Sequence, residues 1–64
     1  MKLWTYIGEK VLIELTNGQK FIGGVTNYDD EIDNESGEDS IHLDDGIDLY
    51  DFDESQIKYI EVLK

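Results

Sequence analysis

Sixty-four residues make one small domain, and a chain of that length buries only about 60% of the surface its unfolded form exposes. It has no cysteine and one histidine, so neither disulfides nor a Cys/His zinc site is expected to supplement its small core. Sixteen Asp and Glu stand against five Lys and no Arg, a net charge of −11, which disfavours direct RNA or DNA binding because that affinity depends on Lys and Arg displacing counterions from phosphates.

Leu3 and Ile7 are four apart, with Trp4 between them. That is the spacing of one helical face, and Gly8 follows where a helix end favours positive φ. A short helical turn is predicted over residues 3 to 7, with an N-terminal strand as its competitor. Val11, Ile13 and Leu15 alternate with Leu12 and Glu14, the period of a half-buried strand. Asn17-Gly18 predicts a type I′ hairpin turn, since both residues tolerate positive φ, and Gln19 to Tyr28 is the return strand. Gly23-Gly24 within it weakens a flat strand and marks a sharp bend or bulge.

Asp29 to Asp39 reads as a polar, acidic loop. Ile41 and Leu43 place a third strand over Ser40 to Asp44, followed by a tight turn at Asp44-Asp45-Gly46 and a fourth strand from Ile47 to Phe52. Asp53 and Gln56, three apart, suit the cap of a single helical turn. Ile57 to Leu63 is the fifth strand, with Ile57, Tyr59 and Leu63 alternating against Ile60 and Val62. The chain therefore reads as all-β: a small five-stranded, strongly bent open barrel with a short N-terminal helical turn, a form that buries apolar positions and limits exposed edges. No apolar run approaches the roughly 20 residues that span a bilayer. The first residues lack the apolar stretch and cleavage site of a secretory signal, so the expected setting is the cytoplasm.

The order of elements, together with particular residues, resembles the Sm-like (LSM-domain) family of SH3-like small β-barrels. Tyr6-Ile7-Gly8 leads into Val11-Leu12-Ile13, and Asn17 to Gly23 with Val25-Thr26-Asn27-Tyr28-Asp29 is similar to the first Sm motif. More narrowly, Asp33-Asn34-Glu35, Ser40-Ile41 and Ile57-Lys58-Tyr59-Ile60-Glu61 resemble the small uncharacterised LSM-domain proteins of Gram-positive bacteria. The resemblance covers most of the chain and implies an Sm-like barrel, association through exposed strand edges and RNA as a ligand. The chain departs from RNA-binding Sm proteins where their second motif carries Arg-Gly or a similar basic feature. Here Asp44-Asp45-Gly46 and Leu49-Tyr50-Asp51-Phe52 hold no basic residue, and the loop after Tyr28 is longer and more acidic. The fold is expected to carry over and the uridine pocket is not.

Between Asp29 and Glu54 lie thirteen carboxylates and no Lys or Arg; the remainder holds three carboxylates and all five lysines. Asp29, Glu31 and Asp33 have the alternate spacing of an EF-hand start, but Asn34 stands where that loop needs Gly. Weak divalent binding by clustered carboxylates competes with the plainer reading of a solvated loop, and no cofactor is expected. His42 alternates with Ile41 and Leu43 and should face outward as a structural residue. No base–nucleophile pair or raised carboxylate pKa is indicated, so catalysis is not expected. Tyr28, Tyr50, Phe52 and Tyr59 suit a barrel core with partly exposed edges better than a base-stacking surface, since no Lys or Arg adjoins them except Lys58 beside Tyr59. Trp4 suits equally the cap of an open barrel end and an oligomer contact.

The function expected is a non-catalytic interaction module whose acidic face, carried by residues 29–54, meets a basic protein surface. Tyr28, Asp29, Asp30, Glu31, Asp33, Glu35, Asp44, Asp45 and Asp48 are its candidate residues. Its sharper form is nucleic-acid mimicry, in which the carboxylates occupy a protein's nucleic-acid-binding groove. The alternatives are an Sm-like RNA-associated protein and sequestration of a small molecule between subunits of a homo-oligomer.

Overall fold

The computed structural model describes residues 2–30, 32 and 37–63. A 3-10 turn, Leu3–Tyr6, precedes strands β1 (Lys10–Leu15), β2 (Lys20–Asp29), β3 (Ser40–Asp44), β4 (Leu49–Asp53) and β5 (Ile57–Val62), and a second 3-10 turn, Glu54–Gln56, joins the last two. The strands form one antiparallel sheet in the order β4-β3-β2-β1-β5. The fold is all-β, as the alternating patterns require, with β4 and β5 at the two ends of the sheet. No helix among the described residues is long and apolar enough to cross a membrane.

The sheet curls around its inner face. Phe21 on β2 meets Tyr50 and Phe52 on β4 with ring centroids 4.8 and 5.1 Å apart, although β3 lies between the two strands. In a flat sheet, strands two places apart are separated by about 10 Å. Curvature places residues from every strand in one core: Val11, Ile13 and Leu15, then Val25, Ile41, Leu43, Phe52 and Ile57, with Leu3 of the first turn across one end.

Local chemistry moves several expected features. The first turn is a 3-10 helix with three residues per turn, so Leu3 and Tyr6 face the core while Ile7 is 48% exposed. Leu3 and Ile7 do not share a face. The Asn17-Gly18 hairpin is not type I′, because only glycines have positive φ among the described residues. Gly18 N–H donates to Leu15 O at 3.0 Å, and Leu15 N–H donates to Gln19 O at 2.8 Å. The loop is thus three residues, a tight turn followed by Gly18 at φ 91° as a bulge.

The irregularity expected at Gly23-Gly24 falls instead between Val25 and Asn27, where Thr26 is the extra residue against β3. Gly23 serves a different need, close approach. A Cβ built on it would lie 2.4 Å from the Asp44 carbonyl oxygen. β4 begins at Leu49 rather than Ile47, since residues 45–48 are occupied by a turn. On β5 a register shift opposite Glu14/Leu15 makes Lys58 the extra residue. Beyond it Ile60 and Val62 pack against the core, while Tyr59, expected on the same face as Ile57, is 40% exposed.

Candidate functional site

β3 and β4 carry no Lys or Arg. Ile41 and Leu43 of β3, with Tyr50 and Phe52 of β4, point to the core, so alternation sends His42, Asp44, Leu49 and Asp51 to the outer face. Cross-strand register aligns Asn27, His42 and Asp51 in one row, and Gly24, Asp44 and Leu49 in the next. His42 sits at the centre of this face. Its Nε2 lies 2.8 Å from Asp29 Oδ2 on β2 and 3.9 Å from Asp51 Oδ2 on β4. The histidine read as outward-facing thus lies between carboxylates from both neighbouring strands and is hydrogen-bonded to that of Asp29.

The turn that closes β3 and β4 is made by its own carboxylates. Asp44 Oδ1 accepts the Gly46 N–H at 2.8 Å. Asp45 Oδ1 accepts the N–H groups of Ile47 and Asp48 at 2.8 and 2.7 Å. These two bonds hold the Asp45 carboxyl below its usual pKa, and Tyr50 adds a side-chain hydrogen bond. Burial raises the Tyr50 phenol, as do the Asp45 and Asp48 charges beside it and its bond to Asp45. The phenol therefore remains the donor. At the far end of the hairpin, Glu38 accepts both the backbone N–H and the hydroxyl of Ser55, at 2.9 and 3.0 Å. Gln56 Oε1 accepts the Asp53 N–H at 2.9 Å and the Asp53 side chain accepts the Gln56 N–H, the reciprocal cap expected at that position.

Because the Asp45 pKa is lower folded than unfolded, its contribution to stability is complete above the unfolded value and is lost as pH falls through the folded one. Asp45→Ala is expected to lower the thermal midpoint at about pH 7, and the difference from wild type should shrink as acidification proceeds below the ordinary Asp pKa of about 3.9. Melts followed by circular dichroism across that range check it; an equal difference at every pH contradicts this role for the carboxylate.

Of the nine residues read as the acidic face, Glu31, Asp33 and Glu35 lie outside the described residues, as does most of the EF-hand spacing. Asp29 and Asp44 are on the outer face around His42, and Asp45 and Asp48 are in the hairpin turn. Asp30 follows β2 and accepts the Ile32 N–H at 3.1 Å. Tyr28 lies on the other side of the sheet, against the core and Trp4. The sequence reading missed Asp51, which the Leu49-Tyr50-Asp51-Phe52 alternation carries outward, and missed His42 as the group that gathers the face. Beside the turn, an open groove of about 460 Å³ is lined by Lys10 of β1, by Ile22, Gly23 and Gly24 of β2, and by Asp44, Asp45 and Gly46 of the turn. No group of three or more His, Cys, Asp or Glu side chains among the described residues is arranged to hold a metal ion. In comparisons with known proteins, no family model matches the chain, and no curated protein or solved structure matches it significantly.

Proposed function

We propose that this domain is a non-catalytic interaction module whose outer β2–β3–β4 face binds a basic protein surface. The observation that carries the reading is the set around His42: Asp29 at the end of β2, with Asp44 and Asp51 on the β3–β4 hairpin, whose strands hold no Lys or Arg. Asp44 and Asp51 are diagonal neighbours across β3 and β4, a placement that sets them about 7–8 Å apart, within a Debye length at physiological salt. They act on an approaching partner as one field, drawing in cations and turning away phosphates. A partner whose basic surface otherwise holds nucleic acid fits this field best, and the cytoplasmic setting expected from the sequence belongs to the same proposal.

The contrary reading, an RNA-associated Sm-like protein, is tested by fluorescence anisotropy with labelled oligo-uridine and with duplex DNA at physiological salt. Neither is expected to bind. Affinity for either at the micromolar level or tighter would overturn the proposal in favour of nucleic-acid binding.

A further inference from the structure

The groove beside the β3–β4 turn is lined by a glycine that the fold does not require. Gly24 pairs in regular register with Lys10 on β1 and with Asp44 on β3. Its φ is not positive, so its backbone is one that other residues adopt. A Cβ built on it meets nothing within 4 Å. The close approach to Asp44 belongs to its neighbour Gly23, and the bulge of β2 lies further on, at Thr26. Glycine weakens a strand interior, and one with no bulge or close packing to serve points to something from outside that approaches the backbone.

We propose that this groove receives an arginine side chain of the basic partner, its guanidinium laid on the Gly24 backbone and bonded to Asp44. This rests on the reading of the acidic face given above and assigns the residue with which that partner makes contact. Neighbouring strands lie about 4.8 Å apart, so the Lys10 and Asp44 backbones stand about 10 Å apart across Gly24, with no side chain between them. Charge selects the occupant. Asp44 and Asp45 line the groove at the turn against the single Lys10 on the β1 side, so a cation enters with its charge toward the turn. Asp44 Oδ1 takes the Gly46 N–H at 2.8 Å, which holds the carboxylate in place, and an ionised carboxylate accepts more than one such bond. Ile22, 52% exposed, offers apolar surface to the methylene stem. Shape then separates arginine from lysine. A guanidinium is planar and weakly hydrated, so it lies flat on a bare peptide and meets the carboxylate as a fork, whereas an ammonium is a strongly hydrated point charge.

The test compares fluorescein-labelled octa-arginine and octa-lysine, which carry the same charge, on wild type, Gly24→Ala and Gly24→Val, each checked for an unchanged far-ultraviolet spectrum. The acidic field acts on both peptides alike, so octa-lysine affinity reads the field and the preference for octa-arginine reads the groove. Wild type is expected to prefer octa-arginine by about fivefold in anisotropy titrations. Gly24→Ala should narrow that preference and Gly24→Val abolish it, with octa-lysine affinity unchanged, because neither substitution alters charge. A second measurement needs no variant: in proton–nitrogen correlation spectra of wild type, the Gly24 and Gly46 amides should move with octa-arginine and stay in place with octa-lysine. No preference in wild type, an equal preference in folded Gly24→Val, or octa-arginine binding that leaves both amides unmoved overturns the groove and leaves the acidic face standing. Absence of binding by either peptide overturns both.

Discussion

Gly23→Ala is expected to unfold the domain, whereas Gly24→Ala leaves it folded. The two residues are neighbours in β2 and look alike in the sequence, but their surroundings differ. A Cβ on Gly23 meets the Asp44 carbonyl oxygen at 2.4 Å, its carbon at 2.9 Å and the Asp45 Cα at 3.0 Å. All three are backbone atoms, so no side chain can swing away to make room. A Cβ on Gly24 meets nothing within 4 Å. Overpacking typically costs about 1–3 kcal/mol where side chains can adjust; a backbone clash leaves less to adjust. A domain this small has a total stability of only a few kcal/mol. Thermal melts by circular dichroism read the outcome: no cooperative transition for Gly23→Ala and a midpoint at or above wild type for Gly24→Ala, since alanine restrains the unfolded chain more than glycine does. Equal midpoints for the two variants would contradict the close approach.

The second large effect concerns binding. Asp44→Asn with Asp51→Asn is expected to weaken capture of a basic partner by about tenfold or more and to flatten its salt dependence. The fold should survive, because an amide oxygen in place of the Asp44 carboxylate still accepts the Gly46 N–H, and Asp51 is exposed. Glu9→Gln with Glu61→Gln makes the same change in net charge away from the hairpin, at two exposed positions. If position matters and not total charge, this control binds nearly as wild type does. Equal weakening by both pairs would reduce the acidic face to a general field.

Much of this fold was legible. Alternation at Val11, Ile13 and Leu15 and at Ile41 and Leu43 named core residues that are buried in the folded chain, and the five strands appear in the expected order. What failed to read through was every feature set by one extra residue. Periodicity assumes an unbroken register, so the bulge at Lys58 turned Tyr59 outward and brought Ile60 and Val62 to the core. Thr26 has the same effect on β2. Ile47 looked like the start of a strand because it is apolar; the Asp45 carboxylate captures its N–H in a turn, and the side chain is 90% exposed. The candidate site was legible as a charge count and not as a surface. The count of thirteen carboxylates included Asp51, but the candidate residues chosen from that segment took in Tyr28 and left Asp51 out, since only strand register shows that Asp29 and Asp51 face each other across His42.

Whether the acidic face binds a basic protein is read by affinity capture from cell lysate at physiological and at high salt, with retained protein and nucleic acid both identified. Wild type and the Asp44→Asn, Asp51→Asn pair serve as parallel baits. Wild type is expected to retain basic proteins at physiological salt, high salt and the paired substitution each to release them, and no nucleic acid to be held once nuclease has been applied. An identical set of proteins on both baits, or nucleic acid retained by wild type after all protein has been stripped, would contradict that role of the acidic face.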